Sequence, residues 1–334
     1  MANINDVARE ARVSITTVSR VLNNSYPVNE KTRKKVKDAI EKLNYKPNAI
    51  ARGLVNKKTN TIGIIVPTIT NAFFPEVVKG IADQCKEKGY NIILSNSESN
   101  KIEEKKAIEN FLERQVDGII IIDPSIETIP AEFYSEINEK VPIVIVNKYF
   151  ENDEIAFVFN NERDGAYEAA RYLIDMGHRD ILFVTGSTGY ASRVKTEGFV
   201  QALKDSNIIV KKENILQSDF TSERTYKLFK DNIAYIRKYT AVFCANDLMA
   251  IGAIKALKSE GYKVPEDFSV IGFDDISICS MFEPEITTVS QNIYTLGEVS
   301  GKTILDLLEH KKVNTKQKLS TKLIIRESCK KLEG

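Results

Sequence analysis

The sequence has few of the residues that build metal centres, disulfides or nucleophilic active sites. Its 334 residues include four cysteines and two histidines. No two cysteines form a C-x-x-C pair, and neither His178 nor His310 lies in a recognisable motif. We therefore expect no metal site, no cofactor and no catalytic residue.

Long apolar runs and nucleotide-binding loops are missing as well. No apolar run approaches the roughly 18 residues that cross a bilayer, and the first residues, "MANINDVARE", are too polar for a signal peptide. We expect a cytoplasmic protein with reduced thiols and no membrane contact. No G-x-G-x-x-G or G-x-x-x-x-G-K-S/T motif follows an apolar run, which disfavours a nucleotide-binding enzyme, and we interpret "TGSTG" as a plain turn.

Charge is distributed unevenly along the chain, although the net charge is only +1. Residues 1–60 contain 13 Lys or Arg and 5 Asp or Glu, a net charge of +8, so the remaining residues carry −7. A basic segment before an acidic body is typical of a small polyanion-binding module attached to a larger domain. A solvated, lysine-rich surface would carry the same charge.

Residues 1–46 contain three short amphipathic helices. We expect either Asn5 or Asp6 to cap the first helix, Ser14 to cap the second, "SITTVSRVLNN", and Asn29 to cap the third. Each helix has apolar residues at helical spacing along one stripe. A short connection between the first two helices predicts a helix-turn-helix domain.

From Thr61 onward, apolar runs alternate with amphipathic helices, one of them expected over "YKLFKDNIAYIRK". Eight unbroken apolar runs indicate strands buried on both faces, hence parallel sheets covered by helices. The runs "TIGIIVP" and "DILFVTG" each open one doubly wound half. The expected fold is an all-α helix-turn-helix head (1–46), a hinge helix and linker (47–60), and an α/β core of two doubly wound parallel-sheet subdomains (61–334).

Polar and aromatic residues follow the predicted strands, at the edge where open α/β sheets bind ligands. Rings pack on the apolar face of a sugar while Asn and Asp bond its hydroxyls, so this edge suits a polyhydroxylated ligand. Taken singly, each polar residue is better explained as a helix cap than as a ligand contact, but six convergent strand ends favour a ligand site. The predicted effector-binding residues are Phe73, Phe74, Asn147, Lys195, Phe220, Asn246 and Asp274, and Asn71, Lys148, Arg193, Asp219, Asp247 and Asp275 lie at the same ends.

Several stretches of the chain look like the LacI/GalR family of bacterial transcription regulators. They are "INDVAREARVSITTVSRVLNN", "VNEKTRKKVKDAIEKLNYKPNAIARGL" and "TIGIIVPTITNAFF", and the likeness continues through "FCANDLMAIGAIKAL", "IGFDDI" and "LIIRESC". The helical head is specific to this family, whereas the core motifs are shared with periplasmic sugar-binding proteins.

The resemblance implies that the second helix lies in the major groove of operator DNA. Ile15, Thr16 and Arg20 would face base edges, and Thr17 and Ser19 would hold phosphates. The residue types suit these roles, because Arg pairs bidentately with guanine and Ile contacts a thymine methyl.

The resemblance also implies a hinge helix at "PNAIARGL", which folds on the operator in a dimer. Ala51 and Leu54 would enter the minor groove, with Leu54 as the wedge that opens a base step. Asn23 would add a backbone or base contact. Gly53 stands where Ser or Gln is common, which makes the hinge more dependent on DNA for folding.

One branch of the family, that of catabolite control protein A, shares "YNIILSNS", "RQVDGII" and Lys195 with this chain. Its corepressor is the serine-phosphorylated phosphocarrier HPr, whose contacts would fall on Tyr90, Tyr294 and Lys302. Lys302 stands where that branch has Arg, and "GFDD" keeps both aspartates, as sugar-binding members do. A small sugar, a sugar phosphate and phosphorylated HPr therefore all stay open as signals.

These observations predict a sequence-specific DNA-binding transcriptional regulator, mainly a repressor, of carbohydrate metabolism genes, and not an enzyme. The alternatives are an operon-specific repressor released by its sugar inducer and a cytosolic sugar-binding protein or enzyme. No heptad repeat closes the sequence, so we expect a homodimer bound to double-stranded operator DNA.

Overall fold

The computed structural model describes residues 2–23, 26–45 and 58–332. The chain divides into two compact units, Met1–Thr59 and Asn60–Gly334. No helix in these described ranges has both the length and the apolar character needed to cross a membrane.

The first unit is built from three helices, α1 (Ile4–Ala11), α2 (Ile15–Asn23) and α3 (Glu30–Lys42). Each helix contributes one fully buried valine to a shared core, namely Val7, Val18 and Val36. This packing is what the apolar stripes predict, because a short helix gains most of its stability from its buried face.

The caps of these helices follow the sequence with one exception. The hydroxyl of Ser14 accepts from the Thr17 backbone N–H at 3.1 Å, and Asn29 caps α3 through the Lys31 N–H. The expected cap of α1 at Asn5 or Asp6 is wrong. The helix begins earlier, with Asn3 as its cap. The Asp6 carboxylate accepts from the Asn3 backbone N–H, which completes a capping box.

The second unit contains two six-stranded sheets. All strand pairs of the first sheet are parallel, in the order β11-β5-β4-β3-β1-β2. Its strands are β1 (Thr61–Val66), β2 (Asn91–Asn96), β3 (Gly118–Ile122), β4 (Ile143–Val146), β5 (Ala156–Asn160) and β11 (Lys316–Leu319). Its helices are α4 (Phe73–Glu87), α5 (Lys101–Glu113), α6 (Ala131–Asn138) and α12 (Ile293–Leu308).

The second sheet has the order β12-β10-β9-β8-β6-β7, parallel except where β12 runs against β10. Its strands are β6 (Ile181–Thr185), β7 (Ile215–Gln217), β8 (Ala241–Cys244), β9 (Ser269–Asp274), β10 (Thr287–Ser290) and β12 (Lys322–Ile324). Its helices are α7 (Glu162–Asp175), α8 (Tyr190–Asp205), α9 (Ser222–Asp231), α10 (Ile233–Ile236) and α11 (Asp247–Ser259), with 3-10 turns at Lys212–Asn214 and Ser277–Ser280.

The chain passes between the two halves three times, after β5, after β10 and between β11 and β12. The eight predicted strands are all present, and β1 and β6 open the two halves as expected. The single helix expected over 226–238 is wrong, because Asn232 ends α9 with a non-helical backbone and α10 starts after it.

Helices α4 and α12 cross at closely apposed backbones. A Cβ atom on Gly80 would lie 2.3 Å from the Tyr294 carbonyl oxygen, and one on Gly297 would lie 2.1 Å from the Val77 carbonyl oxygen. Only glycine permits this approach, so the two helices form a tightly joined layer on the first half.

Candidate DNA-reading helix and ligand cleft

Helix α2 presents one buried and one open face. Val18 and Val21 are buried in the head, whereas Ile15 is 48% exposed and Thr16 and Arg20 are exposed as well. The Arg20 guanidinium lies 5.1 Å from the centre of the Tyr26 ring. The three predicted base-contacting residues therefore share the solvent side of one helix.

The predicted phosphate-contacting residues lie nearer the core of the head. Thr17 and Ser19 are half-buried, and the Thr17 hydroxyl is 2.9 Å from that of Ser14. The side chain of Asn23 and the hinge residues Ala51 and Leu54 lie outside the described residues.

A cleft of about 790 Å³ lies between the two halves of the core. All of the predicted effector-binding residues line it, and so do Asn71, Lys148 and Asp219. The structure thus brings together residues from the carboxyl ends of both sheets, as the rule for open α/β sheets predicts. The members of that set are Phe73, Phe74, Asn147, Lys195, Phe220, Asn246 and Asp274.

Three other strand-end residues named from the sequence do not line this cleft. Asp247 accepts from the Thr288 hydroxyl at 2.5 Å and from the Ile276 N–H, inside the packing of α11 on its sheet. Asp275 pairs with Arg326 at 2.7 Å, and Arg193 pairs with Glu197 on its own helix. These three side chains stabilise the fold around the cleft.

The backbone at several cleft residues is left-handed. The φ angles are 53° at Asp123, 66° at Asn147, 68° at Phe220 and 115° at Asp274. Side chains with a Cβ rarely adopt such angles, and residues that do so concentrate at binding sites. The strand ends are therefore bent where they meet the cleft.

The Phe220 ring rests on the loop that follows β6. A Cβ atom on Gly186 would lie 2.1 Å from Cε2 of that ring, so glycine is required for the contact. The segment "TGSTG" is thus more than the plain turn expected from its sequence, and Ser187, Thr188 and Gly189 line the cleft.

Lys195 and Glu162 form a buried ion pair in the wall of the cleft. The Lys195 Nζ lies 3.2 Å from Glu162 Oε1, donates to the Ala245 carbonyl oxygen at 3.0 Å and lies 4.1 Å from the Phe273 ring centre. Both side chains are almost fully buried. Burial raises the pKa of Glu162, and Lys195 offsets part of that rise.

A second charged group spans the cleft from the first half to the second. The Lys148 Nζ lies 3.1 Å from Glu127 and 3.5 Å from Asp123. Glu127 in turn accepts from the Tyr190 backbone N–H, the first of α8, at 2.7 Å. Burial raises the pKa of Glu127, but Lys148 and the Tyr190 N–H outweigh it and the pKa is lowered.

A chain of amides holds Asp274 at the far end of the cleft. The Gln291 side chain donates to Asp274 Oδ1 at 2.7 Å, and Asn160 donates to Gln291 Oε1 at 3.1 Å. Burial raises the pKa of Asp274 to about 8, although Lys195 and Gln291 lower it in part. The carboxyl group therefore binds a proton readily in the folded protein.

Asn246 lines the cleft and also caps a helix. Its Oδ1 accepts from the Met249 N–H, and its Nδ2 donates to the Phe220 carbonyl oxygen at 3.0 Å. Both ends of this amide thus bond within the protein, as the helix-cap explanation requires.

The charged or polar cleft residues that sequence reasoning missed include Asp123, Glu127, Glu162, Tyr190 and Gln291. Asp123 follows β3 directly, so the strand-end rule that selected the others also applies to it. Glu162 and Gln291 lie where the chain passes between the halves, and no local pattern marks them.

The three residues predicted to contact a phosphocarrier lie at the α4–α12 layer. Tyr294 donates to Asp83 at 2.9 Å, with Lys79 5.6 Å from its ring centre. Tyr90 follows α4 and is half-buried, and Lys302 is exposed on α12.

A three-helix head followed by a core with a cleft between its two halves defines a DNA-binding regulator with a periplasmic-binding-protein-like core. Residues 3–48 match the bacterial regulatory proteins of the lacI family, and residues 170–329 match the periplasmic binding protein-like domain. Within the described ranges, no group of three or more His, Cys, Asp or Glu could hold a metal ion.

Characterised relatives extend along nearly the whole chain. The HTH-type transcriptional repressor PurR of Mannheimia succiniciproducens is 34% identical over 339 residues, covering 99% of this chain and all of that protein. Catabolite control protein A of Priestia megaterium is 38% identical over 317 residues, covering 93% and 94%. The lac repressor dimer bound to operator and the anti-inducer ONPF has a TM-score of 0.89 at 27% identity, covering 98% and 99%.

The chain belongs to the LacI family of bacterial transcription regulators and is a DNA-binding transcriptional regulator. The predicted family, the helix-turn-helix head and the two-subdomain α/β core are confirmed by these matches.

Proposed function

We propose that this protein is a cytoplasmic, homodimeric repressor of carbohydrate metabolism genes whose operator affinity is set by a sugar in the cleft. It binds that sugar without converting it, as its relatives are regulators. The observation that carries the proposal is the lining of the cleft, because aromatic rings and amide groups from both halves of the core face the same space.

The open face of α2 supports the base-reading role. Arg20 carries a forked set of donors for guanine, Thr16 a hydroxyl for either base edge, and Ile15 an apolar group for a thymine methyl. Their exposure leaves them available to the groove, while Val18 holds the opposite face in the core. The net charge of +8 on residues 1–60 adds attraction to phosphates.

The cleft suits a sugar ring. Phe73 and Phe74 meet edge to face at 5.2 Å on one wall, and the Phe220 ring lies on the other. Carboxyl and amide groups lie between these walls, among them Asp274 and Asn147. Apolar faces and hydroxyls of a sugar would both find partners there.

The route from cleft to operator runs through the angle between the halves. A ligand that contacts both walls favours one angle, and the Glu127 bond to Tyr190 already joins them. In a dimer, the angle sets the spacing of the two hinge segments, 47–60, and so the population of DNA-ready heads. Ala51 and Leu54 would then enter the minor groove.

A second candidate signal is serine-phosphorylated HPr docked at the α4–α12 layer. The 38% identity to catabolite control protein A favours it, and Lys302 is exposed there for a phosphate. Lys would bind phosphate as a point charge without the fork of Arg. Tyr90 and Tyr294 would supply the rest of that surface.

The DNA-binding proposal is tested by selecting operators from a random duplex library with the full chain. We expect a palindromic site with half-sites about one helical turn apart. Binding to it should weaken steeply with salt, because phosphate contacts release counterions. A flat affinity across the salt series, or selected DNA without symmetry, would contradict the proposal.

A further inference from the structure

The cleft presents unsatisfied acceptors. Four buried side-chain oxygens that face it have no hydrogen-bond partner among the described residues. They are Oδ1 of Asp123, Oδ1 of Asn147, and Oε1 and Oε2 of Glu162. Two of these oxygens have a charged neighbour, since Glu162 Oε1 lies 3.2 Å from the Lys195 Nζ and Asp123 Oδ1 lies 3.5 Å from the Lys148 Nζ. Buried oxygens of this kind normally accept from a ligand or water.

The two ammonium groups of the cleft are already engaged. Lys195 bonds the Ala245 carbonyl oxygen and pairs with Glu162. Lys148 bonds the Pro124 carbonyl oxygen at 2.7 Å and lies beside both Glu127 and Asp123. The charge of each ammonium group is therefore already balanced by carboxylates of the protein, so neither group attracts an anionic ligand strongly.

The helix N-termini at the cleft are also capped from within. An N-terminus with free N–H groups would attract a phosphate. The first N–H of α8 instead bonds Glu127, and that of Phe73 at the start of α4 bonds Asn71 Oδ1 at 3.1 Å. Asn246 caps α11 in the same way.

The formal charges in the cleft also disfavour an anionic ligand. The cleft is lined by the two ammonium groups of Lys148 and Lys195 and by six carboxyl groups, those of Glu98, Asp123, Glu127, Glu162, Asp219 and Asp274. Asp274 has a pKa raised to about 8 and therefore holds a proton at neutral pH, but a phosphate placed among the other carboxylates would meet like charges in a partly desolvated site. Hydroxyl or ammonium donors would satisfy the open oxygens.

We propose that the cleft selects an unphosphorylated polyhydroxy ligand, neutral or amine-bearing, and rejects its phosphate ester, with Glu162 as the specificity-determining acceptor. This proposal rests on the effector role proposed above and narrows it from a sugar or sugar phosphate to the free sugar. Glu162 lines the cleft with Oε2 open to a donor of the ligand, while Oε1 is paired with Lys195, which holds the carboxylate in place.

The test is calorimetry on the full chain with matched pairs. The pairs are glucose and glucose 6-phosphate, ribose and ribose 5-phosphate, and glucosamine and glucosamine 6-phosphate. At least one free sugar should bind, with its ester at least about 100-fold weaker. An ester that binds within tenfold of its parent, or more tightly, overturns the proposal and leaves the effector role intact. If no sugar binds in either form, the effector role and this proposal both fail.

Variants separate selection from folding. Glu162→Gln should weaken the free sugar by about tenfold or more and narrow the gap to its ester, because the charge that repels phosphate is gone. Glu168→Gln, an exposed position on the same helix, is the matched control and should change neither. An unaltered sugar-to-ester ratio in a folded Glu162→Gln protein would show that Glu162 does not select the ligand. If that variant does not fold, the ratio measured on the unmodified chain still decides the proposal.

Discussion

Gly186→Ala tests the shape of the cleft through a single methyl group. That methyl would lie 2.1 Å from Cε2 and 2.2 Å from Cζ of Phe220, whereas ordinary van der Waals contact begins at 3.4 Å. The ring must move by about 1.3 Å, and its far end can swing without disturbing the sheet. An aromatic contact contributes about 0.5–1.5 kcal/mol beyond buried area. We expect ligand binding to weaken by about 1–2 kcal/mol, roughly five- to thirtyfold in Kd, with little loss of stability.

Calorimetry with the sugar that binds the unmodified protein measures this change, and thermal unfolding checks the fold. The matched control is Phe220→Ala with and without Gly186→Ala. Once the ring is removed, the added methyl has nothing to displace, so the double variant should bind like Phe220→Ala alone. Losses that simply add, or an unchanged Kd for Gly186→Ala, would refute this account of the contact.

Three further changes test the head, the buried charge and the helix layer. Arg20→Ala should cost about 1–3 kcal/mol in operator binding and relax base preference at one position; a binding screen of single-base operator variants with unchanged preferences would exclude Arg20 as a base reader. Burial raises the pKa of Asp274 to about 8, so its contribution to stability is present at low pH and lost as pH rises toward 8. Asp274→Asn should therefore raise the free energy of unfolding in urea above pH 8 and change it little near pH 4, and an equal effect at both would contradict this. Gly297→Ala should lower the free energy of unfolding by about 1–2 kcal/mol, because the clash with the Val77 carbonyl outweighs the gain in helix propensity; a more stable variant would show that α4 and α12 separate easily.

Much of the fold could be predicted because apolar spacing is a local signal. The valine stripe on α2 and the apolar runs that form β1 and β6 predict buried positions from the local sequence alone. Four short strands escaped notice. The edge strands β7, β11 and β12, such as "KQKL", are half exposed and carry no apolar run, and the inner strand β10, "TTVS", is buried but mostly polar in sequence. Their pairing depends on distant neighbours.

The position of the cleft could also be predicted, but the sequence does not show which group each side chain in the cleft bonds. Residue type alone does not tell whether an amide such as Asn246 caps a helix or meets a ligand, and the structure shows it capping α11. Lys195 likewise bonds within the protein. Asn160 donates to Gln291, which lies 131 residues away in sequence, so this contact exists only once the chain has folded.

The central claim is that the cleft ligand sets operator affinity. The most direct measurement is the Kd of the full chain for its selected operator, by fluorescence anisotropy, at increasing concentrations of the sugar that binds the cleft. We predict a change of about 5- to 150-fold, with an equal change in sugar affinity when operator is added, because coupling between two sites is reciprocal. An operator Kd that stays constant while the cleft fills with sugar would contradict the claim.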